Sequence, residues 1–235
     1  MFYIDGSNPK TRMNFNDTGF QILKNFITID ELQTITSELN ALAPQRGRAG
    51  IRGIDRIVHS IGNMAKSSHL IAAAKNYLSD MPHLVRAIYF DKSPEHNWLV
   101  TWHQDLMIAV SSRIDIPGWG PWSKKEGVWH VQAPIDILTD MVTIRIHLDA
   151  ATSKNGCLKV IPGSHKNGIL NAHQIEMQAA KNNSVYCEVD AGDALVMRPT
   201  ILHASEKVAV PAARRVLHFE YASSNLPEGL RWTDQ

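Results

Sequence analysis

Hydrophobic residues in the first third of the chain recur at the spacing of helices. Four of them predict an amphipathic helix: Leu32, Ile35, Leu39 and Leu42. Thr28, three residues before Glu31, offers a capping box at the start of this helix, and Pro44 follows its end. A second helix is predicted over 68–78. Residues 45–60 are rich in glycine and arginine and are predicted to form a mobile loop.

From about residue 84 the pattern changes to short apolar or alternating segments separated by turn residues. Seven strands are predicted, at 84–90, 98–105, 141–149, 157–161, 185–189, 194–198 and 214–222. Many short strands with few helices between them indicate an antiparallel sandwich or a closed jelly roll. We therefore expect a mainly β fold with flanking α-helices, in a single domain over 1–235. Its helical part would cover about 17–80, and its jelly-roll core about 84–222.

Residues 111–130 interrupt this pattern. They contain three of the six tryptophans, Trp119, Trp122 and Trp129, together with two prolines and three glycines. Structureless segments of this length in compact domains are often lids or binding loops. The alternative is a surface excursion that its tryptophans hold against the barrel, and the sequence favours neither interpretation.

Composition narrows the class of protein. The chain has 235 residues, 44% of them hydrophobic and 20% charged, which is ordinary for a soluble globular protein. Its formal net charge of +1 gives no reason to expect binding to nucleic acid or to anionic membranes. Cys157 and Cys187 fit neither a disulfide framework nor a zinc finger and are interpreted as reduced core thiols. Without a signal-peptide pattern or an apolar stretch near the ~20 residues of a membrane span, a cytoplasmic location is expected.

Histidines and carboxylates are the candidates for chemistry. His103 and Asp105 are two residues apart on the strand predicted at 98–105, so both side chains point to the same side. With a distant second histidine, such a pair forms the two-histidine, one-carboxylate arrangement that suits non-haem Fe(II) and O₂ chemistry. His147 and Asp149 make a second pair of this kind, and spacing alone favours the first pair only modestly.

Further candidates come near the end of the chain. His203 follows the strand predicted at 194–198, and Arg214 opens the last predicted strand eleven residues later. A guanidinium can bind a carboxylate through two parallel hydrogen bonds, so Arg214 beside an iron site would suit a dicarboxylate co-substrate. Arg215 competes with Arg214, because alternation does not say which face of 214–222 points inward.

Several segments occur in an order that is typical of one family. They are residues 90–94 (FDKSP), 102–105 (WHQD), 155–165 (NGCLKVIPGSH) and 192–193 (GD), followed by His203 and Arg214. Over about 85–222 the chain resembles the phytanoyl-CoA dioxygenase family of Fe(II)- and 2-oxoglutarate-dependent oxygenases. The resemblance implies a double-stranded β-helix, the jelly-roll or cupin-like fold.

The resemblance also implies roles for single residues. It makes His103, Asp105 and His203 the iron ligands, which leaves His147 and Asp149 outside the metal site. It makes Arg214, helped by the Ser205 hydroxyl, the partner of the distal carboxylate of 2-oxoglutarate.

Two positions bear on the substrate and one on the type of reaction. Arg145 stands where the best-known family member has an aromatic residue. We expect Arg145, with Gln132, to line the pocket of co-substrate or substrate, which would then carry an anionic or strongly hydrogen-bonding group. Related halogenases have a small residue in place of the carboxylate, so Asp105 indicates hydroxylation rather than chlorination. Lys92 is interpreted as a residue that packs a turn.

The implied activity uses Fe(II), 2-oxoglutarate and O₂, hydroxylates a small-molecule substrate and releases succinate and CO₂. Two alternatives stay open. The chain could be another jelly-roll metalloprotein, such as a zinc hydrolase or a cupin-like isomerase, although this would leave Arg214 without a function. It could also be a binding module that has lost turnover. The sequence predicts neither the identity of the substrate nor the oligomeric state.

Overall fold

The computed structural model describes residues 14–42, 50–92, 98–207 and 212–233. Seven α-helices lie in these ranges: α1 (Phe15–Thr18), α2 (Ile29–Ala41), α3 (Ile54–Ile57), α4 (His59–Ala65), α5 (Ser68–Lys75), α6 (Ile135–Thr139) and α7 (Ala172–Lys181). Two short 3-10 helices, Ser153–Asn155 and Ser164–Asn167, lie in the second half of the chain. Within the described ranges, no helix has both the length and the apolar character that crossing a bilayer requires.

Thirteen strands lie in the same ranges and form three sheets. They are β1 (Phe20–Leu23), β2 (Gly50–Arg52), β3 (His83–Lys92), β4 (Val100–His103), β5 (Met107–Val110), β6 (Trp122–Lys125), β7 (Val128–Gln132), β8 (Met141–His147), β9 (Leu158–Val160), β10 (Val185–Tyr186), β11 (Ala194–Met197), β12 (His203–Ser205) and β13 (Arg214–Ala222). The larger sheet has the order β1-β11-β8-β13-β3-β2, and the second has the order β10-β9-β12-β4. A third, small sheet has the order β5-β7-β6.

The two main sheets pack face to face, and all their pairings are antiparallel. Leu195 of the larger sheet belongs to the same buried apolar cluster as Leu158 of the second sheet. At another point the sheets are joined by a hydrogen bond from the Lys92 ammonium to the Ser205 hydroxyl. This arrangement of short antiparallel strands confirms the predicted jelly roll. The extent of the domain, 1–235, stays a prediction.

Strands β8 and β13, in the middle of the larger sheet, are apolar on one face and polar on the other. The outer face packs under the N-terminal helices in one core cluster, which includes Val142, Ile144, Leu217, Phe219, Tyr221, Ile35, Leu39, Ile61 and Leu70. The inner face carries six buried polar residues: Thr143, Arg145, His147, Arg214, His218 and Glu220. Burial of polar groups is unfavourable unless they find partners, so this polar interior marks the position of a functional site.

Helix α2 confirms the helix predicted from the apolar spacing. The Thr28 hydroxyl accepts a hydrogen bond from the Glu31 backbone N–H, and the Glu31 carboxylate accepts one from the Thr28 backbone, as a capping box requires. Helix α5 likewise falls within the predicted 68–78. All seven predicted strands are present, with ends that differ by a few residues.

The structure of 50–60 contradicts the predicted mobile loop, while 43–49 lie outside the described residues. Strand β2 pairs with the edge of β3, and α3 and α4 follow it, with Ile54 fully buried. The glycine and arginine content suggested a loop. The strand was missed because pairing at a sheet edge uses backbone groups, which leave little trace in the side-chain pattern.

Residues 111–130 are not structureless either. They contain the hairpin of β6 and β7, which pairs with β5. Trp119, Trp122 and Trp129 pack against a buried cluster that includes Trp232 and Val110. This packing agrees with a segment that its tryptophans hold against the barrel, and nothing in it supports a lid.

Candidate metal centre

The structure brings His103, Asp105 and His203 together at one end of the interior. The two histidines are direct cross-strand neighbours, His103 at the end of β4 and His203 at the start of β12. Asp105 follows β4 and lies with one oxygen 3.8 Å from His103 Nε2 and the other 3.5 Å from His203 Nε2. One potential ligand atom from each residue lies within 4.8 Å of the others, a spacing that a single metal ion can bridge.

Backbone carbonyls fix the tautomer of both histidines. His103 Nδ1 lies 2.8 Å from the Thr101 carbonyl oxygen, and His203 Nδ1 lies 2.9 Å from that of Ile201. A carbonyl can only accept, so each Nδ1 must carry the proton and each Nε2 is left with a free lone pair. Metal-bound histidines are oriented by this kind of second hydrogen bond.

The surroundings keep His203 and Asp105 in the protonation states that a metal needs. Burial is the main cause that lowers the pKa of His203 to about 4, so its imidazole is neutral near pH 7. Burial alone would raise the pKa of Asp105, but the nearby histidines, led by His203, and Arg86 hold it below its usual range. A neutral imidazole and an ionised carboxylate are both competent ligands.

Gln104, between two of these residues, fixes the segment that carries them. Its buried side-chain amide donates to the carbonyls of Gly168, at 2.8 Å, and Thr200, at 2.7 Å, and accepts from the Leu170 N–H, at 2.9 Å. The Asp105 N–H donates to the Pro199 carbonyl, at 2.9 Å. These bonds tie the loop after β4 to the segment that leads into β12, and so couple the two halves of the site.

The competing pair, His147 and Asp149, does not form a site. Asp149 accepts a bidentate pair of hydrogen bonds from Arg215, at 2.7 and 2.8 Å, on the outer side of the sheet. His147 points inward and is fully buried. Burial, together with Arg145 and Arg214, holds the pKa of His147 well below its usual range, so it is neutral.

A second cluster, of Asp105, His218 and Glu220, also has ligand atoms within 4.8 Å of one another. Its charges are already matched, because Arg86 donates two hydrogen bonds of 2.7 Å to Glu220, and His218 Nε2 lies 2.9 Å from the same carboxylate. This network is therefore an ion-pair support beneath Asp105 and has no carboxylate free for a second metal.

Arg214 and Lys92 lie side by side at the other end of the interior, on paired positions of β13 and β3. Both are buried, and the Arg214 Nε and Nη1 have no hydrogen-bond partner in the structure described. Burial and the nearby Arg145 lower the pKa of Arg214 to about 10. Arg215 faces outward to Asp149, so Arg214 is the one of the two arginines that faces the interior, while its role stays a prediction.

Lys92 has surroundings that were not apparent from the sequence. It ends the long strand β3, is fully buried, and donates to the Ser205 hydroxyl, at 2.8 Å, and to the Glu206 carbonyl. Burial, then the charge of Arg214, lower its pKa to about 8, although Glu206 opposes the shift. The turn at 93–97 lies outside the described residues, and Lys92 Nζ lies 5.5 Å from the centre of the Trp98 ring that follows it, so the predicted packing role stays a prediction. Gly156 makes room here, because a Cβ at this position would lie 2.6 Å from the Glu206 carbonyl oxygen.

Ser205, Arg145 and Gln132 occupy three different positions. Ser205 is buried next to Lys92 and donates to the Gly156 carbonyl, at 2.9 Å. Arg145 is buried in the middle of β8, and its Nη1 donates to His218 Nδ1, at 2.6 Å. Gln132 is half-buried at the end of β7, opposite Met107, and its role stays a prediction.

A comparison with known families decides the classification. The sequence model of the phytanoyl-CoA dioxygenase (PhyH) family matches residues 15–216, which is most of the chain. The chain belongs to the phytanoyl-CoA dioxygenase family. A relative from Oryza sativa subsp. japonica, named phytanoyl-CoA dioxygenase 1, is 24% identical over 205 residues, or 81% of this chain. The chain spans 63% of the rice protein, which is less than two thirds of its length.

Solved structures show the same fold as this family member. AviO1 from Streptomyces viridochromogenes Tue57 is 19% identical with a TM-score of 0.68, over 91% of this chain and 93% of AviO1. HygX from Streptomyces hygroscopicus, solved with nickel and 2-oxoglutarate bound, is 14% identical with a TM-score of 0.65. That match covers 91% of this chain and 86% of HygX. Both are double-stranded β-helix relatives at the level of fold.

The interior of this phytanoyl-CoA dioxygenase family member fits a metal ion together with a dianion. Two imidazole lone pairs and an ionised carboxylate converge at one end, which suits a divalent metal. Buried polar atoms without a partner in the described structure concentrate on the inner face of β8 and β13, and their residues are Thr143, Arg145, His147 and Arg214. Native proteins rarely leave such atoms unpaired, so a polar ligand is the expected partner.

Proposed function

We propose that the chain is an Fe(II)- and 2-oxoglutarate-dependent dioxygenase that hydroxylates a small-molecule substrate. The observation that carries this proposal is the pairing, within one jelly-roll interior, of a His-Asp-His cluster with buried cations at the opposite end. A zinc hydrolase or an isomerase would use the first cluster only and would give the buried Arg214 and Lys92 no role.

His103, Asp105 and His203 would hold the iron through the two Nε2 atoms and the carboxylate. Arg214, with Lys92 and Ser205, would hold the distal carboxylate of 2-oxoglutarate, because two cations and a hydroxyl lie there without a carboxylate of their own among the described residues. When bound, iron and 2-oxoglutarate supply the oxidation: O₂ and 2-oxoglutarate give succinate, CO₂ and one oxygen atom for a substrate C–H bond.

The protein would contribute geometry, charge and exclusion of water. The carbonyls of Thr101 and Ile201 hold both imidazoles in one tautomer, so the ligand set is formed before metal binding. Asp105 stays ionised and would ligate the metal, which supports hydroxylation rather than chlorination. The buried interior strengthens the attraction between Arg214 and an anion, because water does not screen it.

The compartment and the partners belong to the same proposal. Cys157 and Cys187 are both free and buried, and burial raises their pKa, as suits inert core thiols in a reducing compartment such as the cytoplasm. The proposed partner is a small-molecule substrate. HygX, which has been solved with iron bound and also with nickel and 2-oxoglutarate bound, supports the choice of metal and co-substrate.

Anaerobic titration tests the assignment. Fe(II) and 2-oxoglutarate should together give the wild-type chain a weak visible charge-transfer band. His203→Ala should abolish the band, and Arg214→Gln should weaken 2-oxoglutarate affinity by about tenfold to a hundredfold, the effect of losing charge-assisted hydrogen bonds. Arg113→Gln serves as a matched control, because Arg113 is half-exposed and pairs with Asp115 at the surface.

Admission of O₂ completes this test. Succinate should form at a rate that a substrate raises, and a screen of metabolite pools by succinate release would find that substrate. Tight zinc retention with no response to 2-oxoglutarate would contradict the proposal and favour a zinc enzyme. A normal ternary complex that yields no succinate with any pool would instead indicate a binding module.

A further inference from the structure

Arg145 is a buried arginine whose charge is not matched by any carboxylate contact in the described part of the chain. Its exposed fraction is 6%, and its Nε has no hydrogen-bond partner. Two other arginines on the same sheet are matched, since Arg86 contacts Glu220 and Arg215 contacts Asp149, whereas Arg214 shares the unmatched state of Arg145. A buried charge without a counterion is strongly unfavourable, so an anion is the expected partner of Arg145.

Two aromatic neighbours hold the Arg145 guanidinium without neutralising it. Its Nη1 donates to His218 Nδ1, at 2.6 Å, and its Cζ lies 5.6 Å from the centre of the Phe90 ring. Because His218 Nδ1 accepts this bond, its Nε2 carries the proton and donates to Glu220, at 2.9 Å. With one ring nitrogen accepting and the other donating, this imidazole is neutral and adds no charge. Arg145 is therefore oriented in advance and keeps its full charge.

Arg145 lies on the side of the interior that faces the metal cluster. It is opposite His218 in the ladder of β8 and β13, while Arg214 lies four residues away on β13, beside Lys92. His218, which Arg145 contacts, has a ring nitrogen within 4.8 Å of an Asp105 carboxylate oxygen, so Arg145 is one side chain away from the metal cluster. An anion held by Arg145 would therefore lie near the metal, apart from the carboxylate that Arg214 and Lys92 would bind.

The formal charges of the interior leave room for such an anion. A divalent metal and Asp105 leave one positive charge, and Lys92, Arg145 and Arg214 add three more, while Arg86 and Glu220 cancel. Doubly charged 2-oxoglutarate neutralises two of these four. A phosphate monoester on a second ligand would neutralise up to two remaining charges, and a carboxylate would neutralise one of them.

We propose that Arg145 binds an anionic oxygen group, a carboxylate or a phosphate, of the primary substrate beside the metal, which makes the enzyme selective for anionic small molecules. This inference rests on the proposed function, because it assumes that 2-oxoglutarate occupies the Arg214 end. The second possible source of the same chemistry is the keto-acid end of 2-oxoglutarate itself, and the two arms of the test separate these sources.

The first arm measures 2-oxoglutarate. The Ni(II)-loaded chain is titrated with 2-oxoglutarate by calorimetry as wild type, Arg145→Gln, Arg214→Gln and the surface control Arg113→Gln. Arg145→Gln should change the affinity by less than about threefold, while Arg214→Gln weakens it by about tenfold or more. Loss of about tenfold or more in Arg145→Gln would overturn the proposal and assign Arg145 to the co-substrate.

The second arm measures anion binding to the Ni(II)- and 2-oxoglutarate-loaded chain, with benzoate and phenyl phosphate as probes and benzamide as the neutral match. Ligand-observed NMR should show saturable binding of at least one anion to the wild type and weak or no binding of benzamide. Arg145→Gln should weaken the affinity for the anion by about tenfold or more. Arg145→Lys should restore only part of this affinity, because lysine keeps the charge but cannot form the two parallel hydrogen bonds of arginine. Equal binding to wild type and Arg145→Gln, or no anion binding to the wild type, would overturn the proposal.

Two controls keep the outcomes distinct. Thermal unfolding of each variant, with and without Ni(II), shows whether a loss of binding reflects misfolding, and Arg145→Lys supplies a variant that retains the charge. If the wild type fails to bind 2-oxoglutarate at all, the proposed function is wrong. If it binds 2-oxoglutarate normally and the anion arm fails, only the inference on Arg145 is wrong.

Discussion

Lys92 shows how a single buried residue can make co-substrate binding depend on pH. Burial and Arg214 lower its pKa to about 8, with Glu206 opposing, so its ammonium form is the major one near pH 7 and a minor one by pH 9. An anion binds the ammonium form and raises its pKa. The affinity for 2-oxoglutarate should therefore fall as pH rises, by about tenfold between pH 7 and 9.

Titrations of the Ni(II)-loaded chain across this pH range check the prediction. Lys92→Met should bind 2-oxoglutarate more weakly at pH 7 and should lose most of the pH dependence. The sign for folding is the opposite one: the pKa in the folded state is lower than in the unfolded chain, so this group makes the apo protein more stable as pH rises from about 8 to 10. A wild-type affinity that is flat over the range would contradict the role of Lys92 at the anion site.

Gln104 has no direct part in the chemistry, yet it should influence metal affinity. Its amide satisfies three backbone groups, of Gly168, Leu170 and Thr200, in two segments beside the metal cluster. Gln104→Leu keeps most of the volume and removes all three bonds. We expect metal affinity to fall by about tenfold to a hundredfold, the usual cost of losing a group that supports metal ligands.

Competition with a chromogenic chelator measures this effect, and Gln178→Leu in helix α7 is a control outside the site. An unchanged metal affinity in Gln104→Leu, with the variant fully folded, would show that His103 and Asp105 keep their positions without this support.

At the scale of elements, the third sheet depends on the C-terminal segment of the chain. Trp232 is 2% exposed, forms a bridge with Val110 of β5, and donates from its indole to the Ser224 carbonyl, at 3.3 Å. It belongs to the cluster that receives Trp122 and Trp129 of the β6–β7 hairpin. Loss of this side chain would leave a cavity between the hairpin and the barrel.

Trp232→Ala should lower the free energy of unfolding by about 3 kcal/mol or more, as is usual when a large buried aromatic side chain is truncated. Urea denaturation followed by circular dichroism measures it. Leu99→Ala is the control, since Leu99 is 56% exposed and should change stability by about 0.5 kcal/mol at most. Equal stability of the two variants would mean that the third sheet contributes little to the fold.

The strands differ in how well they could be predicted from the sequence. Strands β8 and β13 were predictable because long alternating patterns report which residues share a face, although not which face is inward. That choice depends on partners far along the chain, as with Arg215, which turns outward because Asp149 lies there. Strands β1 and β2 are three or four residues long and pair through the backbone, so their side chains carried little signal. The burial of Lys92 was not predictable because its hydrogen-bond partner Ser205 lies 113 positions later.

For the molecule as a whole, the positive charges in the interior should lower the stability of the apo protein and favour the binding of anions. Lys92, Arg145 and Arg214 are all buried in the interior. Among the described residues no carboxylate contacts them, and Lys92 donates only to a hydroxyl and a backbone carbonyl. Like charges repel strongly in a low-dielectric interior. The wild-type apo protein should therefore be less stable than a variant with a neutral residue at one of these three positions. Metal and anion binding should relieve this repulsion.

Thermal unfolding of the apo, Ni(II)-loaded and Ni(II)- and 2-oxoglutarate-loaded protein tests this coupling. At 2-oxoglutarate concentrations a hundredfold above the dissociation constant, ligand binding should add about 2.7 kcal/mol, which is about 5 to 10 °C for a chain of this size. Arg214→Met should unfold no earlier than the wild type in the apo form, because it removes an unmatched buried charge, and should lose most of the increment from 2-oxoglutarate. If Arg214→Met instead destabilised the apo protein by several degrees, the guanidinium would have a structural partner, and the anion site would have to be placed elsewhere.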